Sequence, residues 1–247
     1  MSEAEVDNAL VACIAATPVL VACMHHDLGF IFDWDGVIID SHRQHEESWG
    51  QLFVELDRPM PGDFFKRTFG MRNQQIIPEW FDFVDAQDHE TIGRLGYRKE
   101  ELYRQILRRE GIEPLPGVEA LLSGLRSLGI PAAVGSSTPR ANLDFIMGIT
   151  SLGQYFDAMV TAEDVTMGKP DPQVFLKAGE AIHRVPERCV VFEDAYVGIT
   201  AGKRAGMKVV AVATTHPIET LTEADMALPN LSAATVGGIL GGLGWAR

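Results

Sequence analysis

Two aspartates two residues apart, Asp33 and Asp35, close an apolar run and are followed at once by Gly36. The run from Leu28 to Phe32 joins aromatic and β-branched residues without a helical period, which reads as a buried strand. Side chains two apart on an extended strand face the same way, so both carboxylates address one site. That site falls at the strand's carboxyl end, where open α/β sheets bind ligands. Two facing carboxylates repel unless a cation or a shared proton relieves them. Taken alone, Asp-x-Asp-Gly is also compatible with a solvated turn.

Three more segments have the same form, an apolar run ending in polar residues. Ile130 to Gly135 runs into Ser136, Ser137 and Thr138, hydroxyls opening a helix whose free N–H groups favour an anion. Lys169 lies between Gly168 and Pro170 in a Gly-Lys-Pro-Asp-Pro turn. Cys189 to Phe192 ends in Glu193 and Asp194. Each has a plain reading: a hydroxyl as a helix cap, a solvated loop lysine, an acid pair favoured by a helix dipole. Their coincidence at the carboxyl ends of one sheet is the signal. Asp33, Asp35, Glu193 and Asp194 bring negative charge of which Lys169 offsets one unit. The deficit suits a divalent cation with oxygen ligands, Mg²⁺ being usual beside phosphate. A cation, a lysine, hydroxyls and amides can hold a phosphoryl group, leaving Asp33 free as a nucleophile.

The elements that must position these groups are legible as periods. Ser41 reads as the N-cap of a helix carrying Trp49, Leu52, Phe53 and Leu56. Further helices are expected around Gln74 to Phe83 and Glu90 to Arg109, and nothing between residues 42 and 112 reads as a strand. From Pro114 onward strands alternate with helices: strands at Ile130 to Gly135, Phe156 to Thr161, Cys189 to Phe192 and Lys208 to Ala213. The pattern predicts an α/β fold, a Rossmann-like doubly wound parallel sheet core with an inserted α-helical cap. Residues 26–40 and 114–247 form the core, and 41–113 the cap. Met226 to Leu243 adds an edge strand and a last helix, weakened by paired glycines. Residues 1–25 read as a peripheral helix or leader, too short an apolar run to span a bilayer and without the charge of a targeting peptide.

The formal net charge of -13 over 247 residues excludes nucleic acid and anionic membrane surfaces as natural partners. Three widely spaced cysteines without a Cys-x-x-Cys pair fit a reducing compartment, cytoplasm or organelle stroma, and neither a disulfide scaffold nor a zinc site. His42 and His45 with the following glutamates only weakly resemble a metal pair.

With the motifs in place, the chain resembles haloacid dehalogenase-superfamily phosphohydrolases of the β-phosphoglucomutase-like subgroup. The resemblance rests on Asp33-x-Asp35-Gly36-Val37, Ser136, Lys169 in Gly-Lys-Pro-Asp-Pro, and Glu193-Asp194 before Ala195-x-x-Gly198. It implies that Asp33 forms an aspartyl-phosphate and that Asp35 is the acid and base. It also implies that Asp33, the Asp35 carbonyl and Asp194 hold Mg²⁺, with Glu193 in or next to the ligand set. Ser136 and Lys169 would bind the phosphoryl oxygens, with Ser137 and Thr138 beside them. The expected activity is hydrolysis of a small phosphorylated metabolite. Dehalogenases and phosphonate hydrolases of the superfamily typically lack the second acid, which Asp35 supplies here. A catalytically dead binding module would have lost Asp33, Lys169 or Asp194, and all are present. A sugar-phosphate mutase shares all four motifs; His45 falls where mutases carry a cap-hinge histidine and Arg72 near their substrate-binding cap loop. His45 reads equally as a satisfied helix residue, and Arg72 as a surface charge. A further likeness, to plant phosphatases of the pyrimidine intermediate in riboflavin synthesis, rests on the Asp33 strand and His216-Pro217.

Overall fold

The computed structural model describes residues 27–245, so the leader read over residues 1–25 lies outside it. The first strand, β1 (Gly29–Phe32), is wholly buried. Strands β2 (Ala132–Gly135), β3 (Ala158–Val160), β4 (Cys189–Glu193), β5 (Lys208–Val212) and β6 (Met226–Leu228) complete one sheet. Its order is β3-β2-β1-β4-β5-β6 and each neighbouring pair is parallel. This is the doubly wound order, with the chain switching direction at β1. Phe30 registers between Ala132 and Val190, and Phe32 between Val134 and Phe192.

Because side chains alternate across a strand, β1 feeds two cores. Phe30 and Phe32 join Val134, Phe192 and Val210 on one face, and Ile31 joins Ala133, Val191 and Val209 on the other. The first face is covered by α5 (Val118–Ser127) and α6 (Arg140–Thr150) through Leu121, Leu122, Leu125, Leu143 and Ile146. The second is covered by α7 (Gln173–Ala181) and α8 (Tyr196–Arg204) through Val174, Phe175, Ala178, Ile199 and Ala201. The last helix, α9 (Val236–Gly242), returns to the first face. It forms despite its glycines because Thr235 caps it, accepting a bond from the Gly238 amide at 3.0 Å.

Between β1 and α5 lie four helices: α1 (His42–Glu55), α2 (Phe64–Thr68), α3 (Asn73–Trp80) and α4 (His89–Glu110). They enclose an apolar cluster of their own, with Trp49, Phe53, Phe64, Ile77, Phe81 and Leu95 among its members. Tyr103 and Leu107, toward the end of α4, pack on the sheet's core instead. The two linkers lie side by side: Ile39 bridges antiparallel to Pro114, and the Leu115 amide donates to the Ile38 carbonyl at 2.8 Å. Helix α2 has no counterpart in the sequence reading, its five residues being too few for a period to register. Helix α3 stops at Trp80 rather than Phe83, with Pro78 inside its last turn. No described helix is long and apolar enough to cross a membrane.

Phe192 ties the sheet's centre together, stacking on Phe32 at a centroid distance of 4.6 Å and on Phe30 at 5.7 Å. Phe192→Ala is expected to cost about 3–5 kcal/mol, from lost burial and the cavity left behind. Urea unfolding should show a lower midpoint with an unchanged slope; a midpoint within error of wild type would contradict this packing role.

Candidate active site

The four polar strand ends converge. After β1 the chain turns tightly, with the Val37 and Ile38 amides bonding the Trp34 carbonyl and Gly36 at φ 83°. That turn needs glycine twice over, because a Cβ on Gly36 would also stand 2.0 Å from Asp194 Oδ2. Lys169, from the loop before α7, places its Nζ 2.8 Å from Asp33 Oδ1 and 2.7 Å from Glu193 Oε1. All three side chains are buried, as is Ser136. Glu193 Oε2 accepts the Asp194 and Ala195 amides, both at 2.8 Å. Gly198 makes room for that carboxylate, since a Cβ there would stand 1.7 Å from Glu193 Oε1. Asp194 accepts a hydrogen bond from Thr215 Oγ1.

Asp33, Glu193 and Asp194 each present a carboxylate oxygen, and these lie within 4.8 Å of one another. Burial and the Glu193 charge, against the pull of Lys169, raise the Asp33 carboxyl to about 7. Burial, with the charges of Glu193 and Asp33, raises Asp194 well above the carboxylate range. For Lys169, burial opposes the ammonium, but Asp33 and Glu193 outweigh it and hold the proton firmly. When all three acids are ionised, one lysine leaves an excess of negative charge on hard oxygen donors. That donor set fits Mg²⁺.

Asp35 stands apart from this trio. Its carboxylate accepts from Ser41 Oγ and Thr138 Oγ1, and His45 Nε2 lies 3.4 Å from Oδ1. Burial acts to raise this acid, yet His45 and the two hydroxyls prevail and lower it. With the carboxylate so engaged, its main-chain carbonyl is the Asp35 group left for the metal role the resemblance implies. Ser41 occupies the N-cap position of α1 but makes no side-chain capping bond; the charged oxygen of Asp35 is the stronger acceptor. Thr138 likewise serves Asp35, α6 beginning only at Arg140.

His45 is held from behind. Lys99 Nζ lies 2.7 Å from its Nδ1, and its ring stacks on Tyr103 at 4.0 Å and 4°. An ammonium only donates, so His45 accepts at Nδ1 and carries its proton on Nε2, toward Asp35. Lys99 pairs in turn with Glu100 at 3.0 Å, both buried. Neither was foreseen from the sequence, where they sit in a run of mixed charges that reads as a solvated helix face. Arg72 and Ser137 line the same cavity, of about 170 Å³. The Arg72 guanidinium donates to the main-chain carbonyls of Ala162 at 2.9 Å and Val165 at 3.4 Å. It is therefore not a free surface charge. Trp49, Phe65, Phe69, Met71 and Ile76 form the cavity's apolar wall. His216 Nδ1 lies 3.2 Å from the Asp194 carbonyl oxygen.

Comparison with known proteins identifies the family. The family model of haloacid dehalogenase-like hydrolases matches residues 29–206, and the chain belongs to that family. It is 34% identical over 212 residues to the chloroplastic 5-amino-6-(5-phospho-D-ribitylamino)uracil phosphatase of Arabidopsis thaliana, covering 85% of this chain and 56% of that protein. It is 33% identical over 210 residues to the validoxylamine A 7'-phosphate phosphatase of Streptomyces hygroscopicus subsp. limoneus, covering 82% of this chain and 93% of that one. A β-phosphoglucomutase structure from Clostridium difficile superposes with a TM-score of 0.78 at 25% identity, over 87% of this chain and 96% of the other.

The raised Asp33 carboxyl sets a pH dependence. In the metal-free protein it keeps its proton up to about pH 7, against 3.8 for a free aspartate. Its contribution to stability is therefore present at low pH and lost as pH rises through about 7. A cation needs the carboxylates, so Mg²⁺ binding should tighten as pH rises from about 5 through about 7. Calorimetric titration at several pH values checks this; an affinity constant over that range would be incompatible with a protonated Asp33.

Proposed function

We propose that this protein is a Mg²⁺-dependent phosphatase that hydrolyses a small phosphorylated metabolite through an aspartyl-phosphate on Asp33. It is a phosphoric monoester hydrolase of the haloacid dehalogenase type. The observation that carries the reading is Lys169 gripped between Asp33 and Glu193 at one strand-end cluster, beside Ser136.

In the reaction, an Asp33 oxygen attacks phosphorus as the bond to the leaving oxygen breaks. Lys169 and Ser136 stabilise the charge gathering on the transferring oxygens. Asp33, Asp194 and the Asp35 carbonyl, with Glu193 alongside, would hold Mg²⁺, which would supply further charge neutralisation. Water then attacks the aspartyl-phosphate and releases phosphate, losing its proton to Asp35. The donors around Asp35 favour its carboxylate, the form a base requires. To protonate the leaving oxygen instead, Asp35 has to let go of one of them as substrate enters.

Hydrolysis is favoured over phosphoryl return to a sugar by the far end of the cavity. A mutase needs cations there for a second phosphate. Here Lys99 is paired with Glu100, Arg72 is bonded to main-chain carbonyls, and Glu163 adds a negative charge to the lining. The aromatic wall of Trp49, Phe65 and Phe69 suits a planar ring on the leaving group. The uracil portion of the Arabidopsis relative's named substrate is of that kind. We assign the protein to a reducing compartment on its cysteine pattern.

Two experiments test the reading. Phosphate release across small phosphorylated metabolites should require Mg²⁺, and Asp33→Asn should lower it by roughly three or more orders of magnitude without unfolding; residual activity of a few per cent would place the nucleophile elsewhere. Supplied with β-glucose 1-phosphate and catalytic glucose 1,6-bisphosphate, the enzyme should form little glucose 6-phosphate. Formation faster than phosphate release from every screened substrate would make it a mutase.

A further inference from the structure

Glu100 lies on α4 in the cap and is 6% exposed. Its Oε1 accepts from Lys99 Nζ at 3.0 Å and Asn73 Nδ2 at 2.7 Å, and its Oε2 from Asn142 Nδ2 at 2.6 Å. Asn73 opens α3, directly after Arg72. Asn142 belongs to the core: it sits in the first turn of α6, beyond Ser136 and Thr138, and is fully buried. Its side-chain oxygen accepts from Arg104 Nη1 at 2.6 Å. Residues 100 and 104 stand one turn apart on a single helix face, so α4 grips both ends of one core amide.

A buried carboxylate is tolerated when it is paired and its oxygens are hydrogen-bonded. Glu100 obtains this from three residues, of which Asn142 alone lies outside the cap. A swing of the cap about the paired linkers at Ile39 and Pro114 would carry Asn73 and Lys99 along. It would leave Asn142 behind and strip Glu100 Oε2 of its donor. The same Glu100 holds Lys99, which holds His45 against Asp35.

We propose that the Glu100–Asn142 bond, secured by Arg104, is the latch that selects the closed cap. Glu100 is thereby a positioning residue that registers Asp35, through Lys99 and His45, when cap and core are together. Its catalytic consequence rests on the phosphatase reading; the latch itself does not.

The experiment measures cap position and kinetics separately. Spin labels are placed at Val54→Cys in the cap and Val185→Cys in the core, both exposed in the native protein, with Cys13→Ser and Cys23→Ser. The otherwise native protein should give one narrow distance. Asn142→Ala, which leaves Lys99, His45 and Asp35 in place, should add a longer one. It should lower kcat/KM by about 10- to 100-fold, the effect of losing a charged hydrogen bond, with a smaller fall in kcat. Asn142→Asp keeps the size and sets like charges face to face, so it serves equally should the alanine variant fail to fold. Glu100→Gln combined with Asn142→Asp exchanges donor and acceptor and should restore the single distance and most of kcat/KM. A single unchanged distance in both Asn142 variants, or no recovery in the double variant, overturns the latch. A wild type that releases no phosphate from any substrate overturns the phosphatase reading instead, and the distances still judge the latch.

Discussion

The contact on which the molecule depends is the Lys169 ammonium seated between Asp33 and Glu193. Three carboxylates are drawn out of water within a few ångströms, and like charges so placed are costly. The fold meets that cost with a lysine, two amides given to Glu193 and a hydroxyl given to Asp194. The lysine, the amide pair and the hydroxyl come from three stretches of chain, which a parallel sheet with all its strand ends on one side brings together. The residual negative charge gives the site its appetite for a cation. The aromatic stack of Phe30, Phe32 and Phe192 directly beneath makes the platform stiff enough to hold such an unfavourable set.

The core was readable in the sequence because its strands are short apolar runs that stop abruptly in polar residues. A parallel sheet buried on both faces has that texture, and polar strand ends have no packing reason to exist. Asp33, Asp35, Ser136, Lys169, Glu193 and Asp194 could therefore be picked out one by one, and the structure brings them to one cavity. What stayed hidden is long-range pairing. Ser41 reads as a cap because serine before a helix ordinarily is one, yet its hydroxyl turns to Asp35. Lys99 and Glu100 look solvated in the series Arg98-Lys99-Glu100-Glu101, and Arg98 and Glu101 do bond each other nearer the surface. Which two of those four charges turn inward is decided by His45 and Asn142, both distant in sequence.

Core and cap divide the work unequally. In the proposed reaction the core supplies the nucleophile, the phosphoryl clamp and the acidic trio. The cap supplies His45, which bears on Asp35, Lys99 behind it, and the cavity's apolar wall. Asp35 thus belongs to both layers. It hangs from the core strand but is tethered by Ser41 and His45 on the cap side and Thr138 on the core side.

The pairing of Ile39 with Pro114 has a consequence beyond the hinge. The chain leaves the core and re-enters it at adjacent points, so everything between is a parenthesis in the fold. Once two strands of linker lie together, lengthening or rebuilding what they enclose adds only a slowly growing entropy of closure. The catalytic floor can keep its charges in register while the enclosed helices are exchanged for others of different shape. Such an arrangement lets chemistry and selectivity diverge independently, with one conserving reaction and the other free to drift.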